Sequence, residues 1–267
     1  MFVIYVCEDN DNNNIIYKHG IYANNNINQD ILILNSYEAK KREEGYSMQS
    51  YMNFVRVPVP NQQTNLIMNS MPSENEENEK EIKQCEIKIN DVKIPFGYFY
   101  KFEKEGKYKI TYSFKIYLTK TSFMFYNCSL LISIDLSNLN LQNVTNMSLM
   151  FSCCSSLANV NLSNLNTQNV ISMKYIFSGC SSLKNVNLSY LNNQNLMTMK
   201  SMFYGCSSLI NLDLSSFHTQ SVVDMSSMLC GCSSLANLNL SNFNTKNVMY
   251  MNNMFINCQS LIDLDQI

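Results

Sequence analysis

Residues 240–261 read L-S-N-F-N-T-K-N-V-M-Y-M-N-N-M-F-I-N-C-Q-S-L, and this pattern recurs through the second half of the chain. Its cysteine returns at exactly equal spacing and without an insertion, at Cys128, Cys154, Cys180, Cys206, Cys232 and Cys258. A strict period of this length predicts an array of stacked repeats, in which each unit covers the open core of its neighbour.

Each unit divides into two halves of different periodicity. The first half reads L-x-x-L-x-L, as at Leu209, Leu212 and Leu214, and this spacing predicts a short strand with recurring inward residues. In the second half, for example between residues 170 and 177, apolar residues recur at the spacing of a helix face. We therefore expect each unit to contain a strand, a loop, a short helix and a turn.

Two further columns are typical of helix ends. The position before the predicted helix can supply an N-cap, and it is occupied by Asn143, Asn169, Asn195, Ser221 and Asn247. The position after it favours a left-handed backbone, and it is occupied by Gly179, Gly205, Gly231 and Asn257. Both columns therefore favour a short helix in each unit.

The recurring unit, L-S-N-F-N-T-x-N-V-x-x-M-x-x-M-F-x-x-C-S-S-L, resembles the repeat of the BspA-like leucine-rich-repeat family, which also occurs in mycoplasma-type surface proteins and in many protist proteins. The resemblance covers about residues 119–267. It implies an α/β fold, namely a right-handed leucine-rich-repeat solenoid of about six turns with a parallel sheet on its concave side. It also implies a role in binding or adhesion rather than catalysis.

Three segments precede the array, which takes residues 119–267. Residues 1–69 contain short strand-like pieces and a charged stretch, which predict a small α+β region of unknown role. Residues 70–83 are acidic and nearly free of apolar side chains, which is typical of a solvated linker. Residues 84–118 alternate with period two around a turn at 103–106, which predicts a β-hairpin that caps the first repeat.

Charge and hydropathy exclude several classes of partner. The chain has 267 residues, 15% of them charged, and a formal net charge of −2. This balance argues against a nucleic acid or an anionic membrane surface as the partner. No apolar run reaches the roughly 18 residues of a membrane-spanning helix, so we expect no membrane insertion.

The last unit stops at Ile267, inside its predicted strand and without a cap. Two explanations fit this pattern. The chain is a fragment of a longer array, or its open strand edge pairs end to end with another molecule. Because an uncovered strand edge promotes aggregation, we favour the fragment.

The 10 cysteines and 17 methionines invite a metal or redox interpretation. Thiols spaced by a whole repeat unit lack the paired spacing of zinc sites, so we interpret the cysteine and methionine columns as buried core. We expect no metal and no cofactor. Free thiols and a start without a signal peptide favour a cytoplasmic protein, whereas the family resemblance points to the cell surface.

Catalytic motifs are absent from the sequence. There is no nucleophile elbow, phosphate loop or paired-carboxylate setting, so we expect the protein not to be an enzyme. His218 stands in a loop column that otherwise holds Asn140, Asn166, Asn192 and Asn244. We interpret it as a loop substitution rather than as a catalytic base.

The outward positions of the predicted strands are polar and nearly uncharged. They form either a solubilising face on which amides stack, or a hydrogen-bonding surface for a peptide or glycan. The candidate ligand-binding residues on this face are Asn159, Asn161, Lys184, Asn185, Asn187, Asn211, Asp213, Asn237 and Asn239.

Three functional hypotheses follow from these patterns. The leading one is a non-enzymatic interaction scaffold that binds a protein or glycan partner on the polar concave sheet. The second is a cell-surface adhesin or host-contact protein, which rests on the family resemblance. The third is an enzyme in residues 1–118 with the array as its targeting arm, and no site motif supports it.

Overall fold

The computed structural model describes residues 2–4, 21–23, 30–33, 78–102, 106–163, 165–191 and 193–261. Most of the predicted α+β region 1–69 and the first part of the predicted linker lie outside these residues. The elements in chain order are β1 (Phe2–Ile4), β2 (Ile21–Ala23), β3 (Asp30–Leu32), α1 (Glu79–Ile82), β4 (Cys85–Ile89), β5 (Val92–Ile94), β6 (Phe99–Lys101), β7 (Gly106–Tyr108), β8 (Ile110–Phe114), β9 (Ser133–Asp135), β10 (Asn159–Asn161), β11 (Asn211–Asp213) and β12 (Asn237–Asn239).

One mixed sheet joins the first part of the chain to the repeats. Its strand order is β10-β9-β1-β8-β4-β5. Strand β1 pairs antiparallel with β8, with Phe2 opposite Tyr112, and with β9, with Val3 opposite Asp135. Because β1 occupies the free side of β9, the first repeat strand presents no open edge there.

The hairpin between residues 84 and 118 lies elsewhere than predicted. Strands β4 and β5 form it across Asn90 and Asp91, whose φ angles are 47° and 66°. The strands on either side of the predicted turn pair with different partners, β6 with β3 and β7 with β2. Alternation with period two indicates the faces of a strand but not its partner, whereas an Asn-Asp pair with two positive φ angles suits a two-residue hairpin turn.

The end of the predicted acidic linker packs against the first repeat. Helix α1 buries Ile82 completely, and Asn78 Nδ2 donates a hydrogen bond of 2.6 Å to the carbonyl of Ser122. The carboxylate of Glu81 accepts from the backbone N–H of Thr119 at 2.8 Å and from its hydroxyl at 2.5 Å. The linker prediction is therefore wrong at this end, because an acidic side chain with specific donors is held in place rather than solvated.

Tight turns, not the predicted short helix, form the second half of each unit. Two positions four residues apart take left-handed φ angles, for example Tyr175 at 59° and Gly179 at 74°. A left-handed residue at every such position interrupts the i→i−4 hydrogen bonding of an α-helix. The equivalent left-handed residues are Phe123, Asn127, Leu149, Cys153, Ser201, Gly205, Ser227, Gly231, Asn253 and Asn257.

Backbone N–H groups in these turns alternate between two kinds of acceptor. The N–H of Ile176 donates to Met173 O within its own unit at 3.3 Å. The next N–H, that of Phe177, donates to Met202 O in the following unit at 3.0 Å. A helix would satisfy its donors internally, whereas these turns use half of them to bind each unit to its neighbour.

Phenylalanine rings stack through the core along the direction of the repeats. Phe125, Phe151, Phe177 and Phe203 have successive centroid distances of 5.5, 5.6 and 5.5 Å and interplanar angles of 0°, 5° and 14°. The ring of Tyr112 on β8 lies edge-on against Phe125 at 5.5 Å. The N-terminal sheet therefore covers the first ring of the stack.

The left-handed glycines provide a direct test of the turn conformation. We expect Gly205→Ala to lower the free energy of unfolding by about 1–2 kcal/mol, because a Cβ disfavours its φ of 71°. Gly205→Asn is the matched control and should cost less, since Asn127 and Asn257 take φ angles of 59° and 61° at the equivalent position. Urea unfolding measures both variants, and equal losses would contradict the expectation.

Candidate functional site

Six of the nine candidate residues lie on strands β10, β11 and β12, and the other three, Lys184, Asn185 and Asn187, lie in the unit between β10 and β11. Asn211 lies opposite Asn237 in the parallel pair of β11 and β12, and Asn185 bridges to Asn211. Eight of the nine side chains are exposed and Asn161 is half-buried. The residue between the polar positions of β11, Leu212, is buried, so the strand turns its apolar side to the core.

The first polar column, which contains Asn185, Asn211 and Asn237, forms a ladder of hydrogen-bonded side-chain amides. Asn211 Nδ2 donates to Asn185 Oδ1 at 3.0 Å, and Asn237 Nδ2 donates to Asn211 Oδ1 at 2.6 Å. Each such amide has two donor hydrogens and two acceptor lone pairs, and a rung uses one of each. The ladder therefore fixes the orientation of three exposed amides and leaves part of their hydrogen-bonding capacity facing solvent.

The second polar column, which contains Asn187 and Asp213, lies where the strands end. In each unit its side-chain oxygen accepts from the backbone N–H two residues further on, as from Ser189 to Asn187 at 3.0 Å and from Ser215 to Asp213 at 2.9 Å. The Ser215 hydroxyl, followed by its backbone N–H, lowers the pKa of the Asp213 carboxyl. These oxygens are committed to local turns, so the second column is less available to a ligand than the first.

The predicted helix-cap asparagines have a different role. Asn169 Nδ2 donates to Gln142 O at 2.7 Å, and Asn195 Nδ2 donates to Gln168 O at 2.9 Å. Asn247 makes the same contact with Gln220 at 2.7 Å. These side chains therefore link successive units. They do not cap a helix, because the backbone that follows them forms tight turns.

The thiols of the cysteine column donate to backbone carbonyls of the preceding unit. Cys180 Sγ lies 3.1 Å from Phe151 O, and Cys206 Sγ lies 3.1 Å from Phe177 O. Burial, followed by the neighbouring thiols, raises the pKa of both groups well above the usual range. A buried, protonated and hydrogen-bonded thiol is a poor nucleophile and a poor metal ligand.

The structure also reveals a cavity that sequence reasoning missed. It has a volume of about 640 Å³ and lies between the loops 189–194 and 215–220, with Tyr190 and His218 in its wall. His218 is exposed, and its backbone N–H donates to Asn193 Oδ1 at 3.2 Å. One feature of the sequence could have indicated this cavity. Tyr190 and His218 each depart from a column of asparagines, and the column of Tyr190 has asparagine at positions 138, 164 and 242.

The described residues contain neither a candidate membrane-spanning helix nor a candidate metal-binding cluster. None of the helices in this part of the chain is long and apolar enough to cross a membrane. Within the same residues, no group of three histidine, cysteine, aspartate or glutamate side chains is placed to hold a metal ion. The nine cysteines that the structure describes are free thiols.

Comparison with known proteins gives one family. The model of that family, described as "Mycoplasma protein of unknown function, DUF285", matches residues 119–236 and 184–266, which together are more than half of the chain. No curated protein and no solved structure matches the chain significantly. From the extent of the match, the chain belongs to this mycoplasma-type repeat family of unknown function.

Proposed function

We propose that residues 119–267 form a right-handed leucine-rich-repeat solenoid of the BspA-like type, and that the protein is a non-enzymatic scaffold that binds a peptide or glycan on its strand face. The observation that carries this proposal is the exposed amide ladder of Asn185, Asn211 and Asn237. Parallel pairing of strands from successive units supports the stacked architecture.

The ladder suits binding because its amides are already ordered. An exposed asparagine normally loses rotamer freedom when it binds a ligand, and this loss weakens affinity. The bonds of 3.0 and 2.6 Å along the ladder restrict those rotamers before any ligand arrives. A row of fixed donors and acceptors with one regular spacing is complementary to a ligand that also has regularly spaced polar groups.

The charge of the face narrows the class of partner. Among the nine candidate residues only Lys184 and Asp213 are charged, and they have opposite signs. A nucleic acid would require a basic surface, and an acidic peptide would require several cations. The groups that remain are peptide amides and sugar hydroxyls, which recognise neutral donors and acceptors.

The experiment combines a peptide library and a glycan array with paired charge variants. The double variant Asn185→Asp/Asn211→Asp places two like charges on the ladder, and we expect it to weaken binding by about tenfold or more. The double variant Asn140→Asp/Asn166→Asp is the matched control. Both control side chains are exposed and accept local backbone N–H bonds, which aspartate also accepts.

The outcomes are distinguishable. Loss of binding in the ladder variant and retention in the control variant supports the strand face as the binding surface. Failure of both collections to yield a ligand, or a ligand whose affinity is the same in both variants, contradicts the proposal. Urea unfolding of each variant shows whether the fold is retained.

A further inference from the structure

The cavity lined by residues 189–191, 194, 215–218 and 220 is a depression open to solvent, and its volume is that of a ligand site. Its volume of about 640 Å³ falls within the roughly 300–1,000 Å³ typical of small-molecule sites. Asn242 of the next loop completes its wall. Three successive units therefore contribute to one depression, which lies beside the strand face and not on it.

Three departures from the repeated sequence meet in this cavity. His218 is the one residue in its column of five that is not asparagine, and Tyr190 and Ser216 are the two in theirs. All three residues line the same cavity. A stacking requirement would apply to every unit, so departures that converge on one cavity are better explained by something that occupies it.

The wall is polar and carries no fixed charge. Gln194, Gln220 and Asn242 are among its lining residues, and no residue with a carboxylate, ammonium or guanidinium group is. Asn242 Nδ2 donates to Ser215 O at 2.7 Å, which holds that amide in one orientation. Amides both donate and accept, so they match groups that do the same.

One hydroxyl in the wall has unused hydrogen-bonding capacity. Ser216 lines the cavity, and its Oγ atom is buried with no partner among the residues that the structure describes. Such an atom is costly unless something pairs with it. The wall therefore contains a polar group that the protein itself does not satisfy.

The ring of Tyr190 supplies the apolar part of the site. The side chain is 58% exposed, so a large aromatic surface remains in contact with water beside the cavity. A flat ring of this kind packs well against another flat apolar surface while its hydroxyl stays hydrated. The C–H face of a pyranose ring is such a surface, and its hydroxyls point outward around the rim.

We propose that this cavity is a binding site for a neutral saccharide, with one sugar ring on Tyr190 and its hydroxyls bonded to His218, Gln194 and Gln220. A peptide is the less suitable occupant, because the wall consists of loop side chains and offers no strand edge for a peptide backbone. The proposal is independent of the strand face and adds a second site to the scaffold.

Saturation-transfer NMR on the full chain tests this site. The probes are the methyl glycosides of glucose, galactose, mannose and N-acetylglucosamine, followed by titration of the one that binds most strongly. Tyr190→Asn and His218→Asn restore the residue of their own columns, so each variant should fold like its neighbouring units. We expect each to weaken binding by about tenfold. Asn140→Asp is the control and should bind as the unmodified protein does, because Asn140 is exposed and lies outside both the cavity lining and the strand-face candidates.

Three results would overturn the proposal. The first is that none of the four glycosides binds at millimolar concentration. The second is binding that is unchanged in both cavity variants, and the third is binding that the Asn140→Asp control loses as well. If a tripeptide from a library binds through Tyr190 and His218 and the glycosides do not, the ligand of the site is a peptide and the saccharide proposal is wrong. Urea unfolding of both cavity variants confirms that any loss is local.

Discussion

Raising the pH from 8 to 10 is expected to lower the free energy of unfolding by at least about 5 kcal/mol, which is enough to unfold many proteins of this size. The cause is the column of fully buried thiols, whose ordinary pKa is 9.0 and whose pKa in the folded chain is raised well above it, chiefly by burial. The four groups concerned are Cys154, Cys180, Cys206 and Cys232.

The sign follows from which state holds the proton. A raised pKa means that the folded protein keeps the thiol neutral at a pH at which the unfolded chain ionises it. The stabilisation is complete below pH 9 and is lost as the pH rises beyond it. At pH 10 each of the four thiols contributes slightly more than about 1 kcal/mol to the loss, which gives about 5 kcal/mol together. Cys85, Cys230 and Cys258, whose pKa is raised to about 12, 11 and 11, add to this loss.

Urea unfolding at several pH values between 8 and 10 measures this effect. The double variant Cys206→Ala/Cys232→Ala removes two of these thiols, so the change in unfolding free energy over this range should decrease by about the contribution of two thiols. The comparison uses the slope with pH, so any general destabilisation by the alanines cancels. A free energy of unfolding that is constant over this range would contradict the role of the thiols.

Replacing Phe177 with alanine is expected to lower the free energy of unfolding by about 3–5 kcal/mol. Its ring is fully buried and stacks against Phe151 on one side and Phe203 on the other. The substitution removes a large apolar side chain and leaves two rings facing a cavity. Because the turns on both sides are tied to the backbone of this unit, they have little freedom to close it.

Phe177→Leu is the matched control for that prediction. Leucine already occupies the equivalent position at Leu229, where it is fully buried, so the fold accepts it at this point in a unit. We expect a loss of about 1 kcal/mol, since most of the buried apolar volume is kept. Equal losses of unfolding free energy for alanine and leucine, measured by urea unfolding, would contradict this expectation, because the apolar volume that leucine keeps would then not stabilise the fold.

The sequence predicts the strand face well and the turns poorly, and the reason is physical. Alternation with period two sets which side of a strand each residue occupies, and Asn185 and Asn211 lie where that rule places them. The turns depend on left-handed residues, and one of their two columns contains no glycine. Leu149 and Tyr175 belong to that column, and neither leucine nor tyrosine is a residue type that indicates a positive φ.

The cavity could not be predicted from the sequence, for a different reason. It depends on Tyr190 and His218, which are well separated in the chain and belong to neighbouring units. A column of equivalent residues shows that each one departs from asparagine, but it does not show that their side chains share a wall. The three-dimensional structure is needed to show that both residues line one cavity.

Four sets of contacts between units join residues at four different separations in the sequence. This limits which insertions and deletions the fold can accept. The Thr219 hydroxyl reaches a carbonyl at an offset of 25, the ladder amides pair at 26, the linking asparagines reach back 27 and the thiols reach back 29. One inserted residue would put all four sets out of register together. A deletion or duplication of one whole unit would preserve every one of them. Length variants of this protein should therefore differ by whole multiples of one repeat unit in this region of the gene.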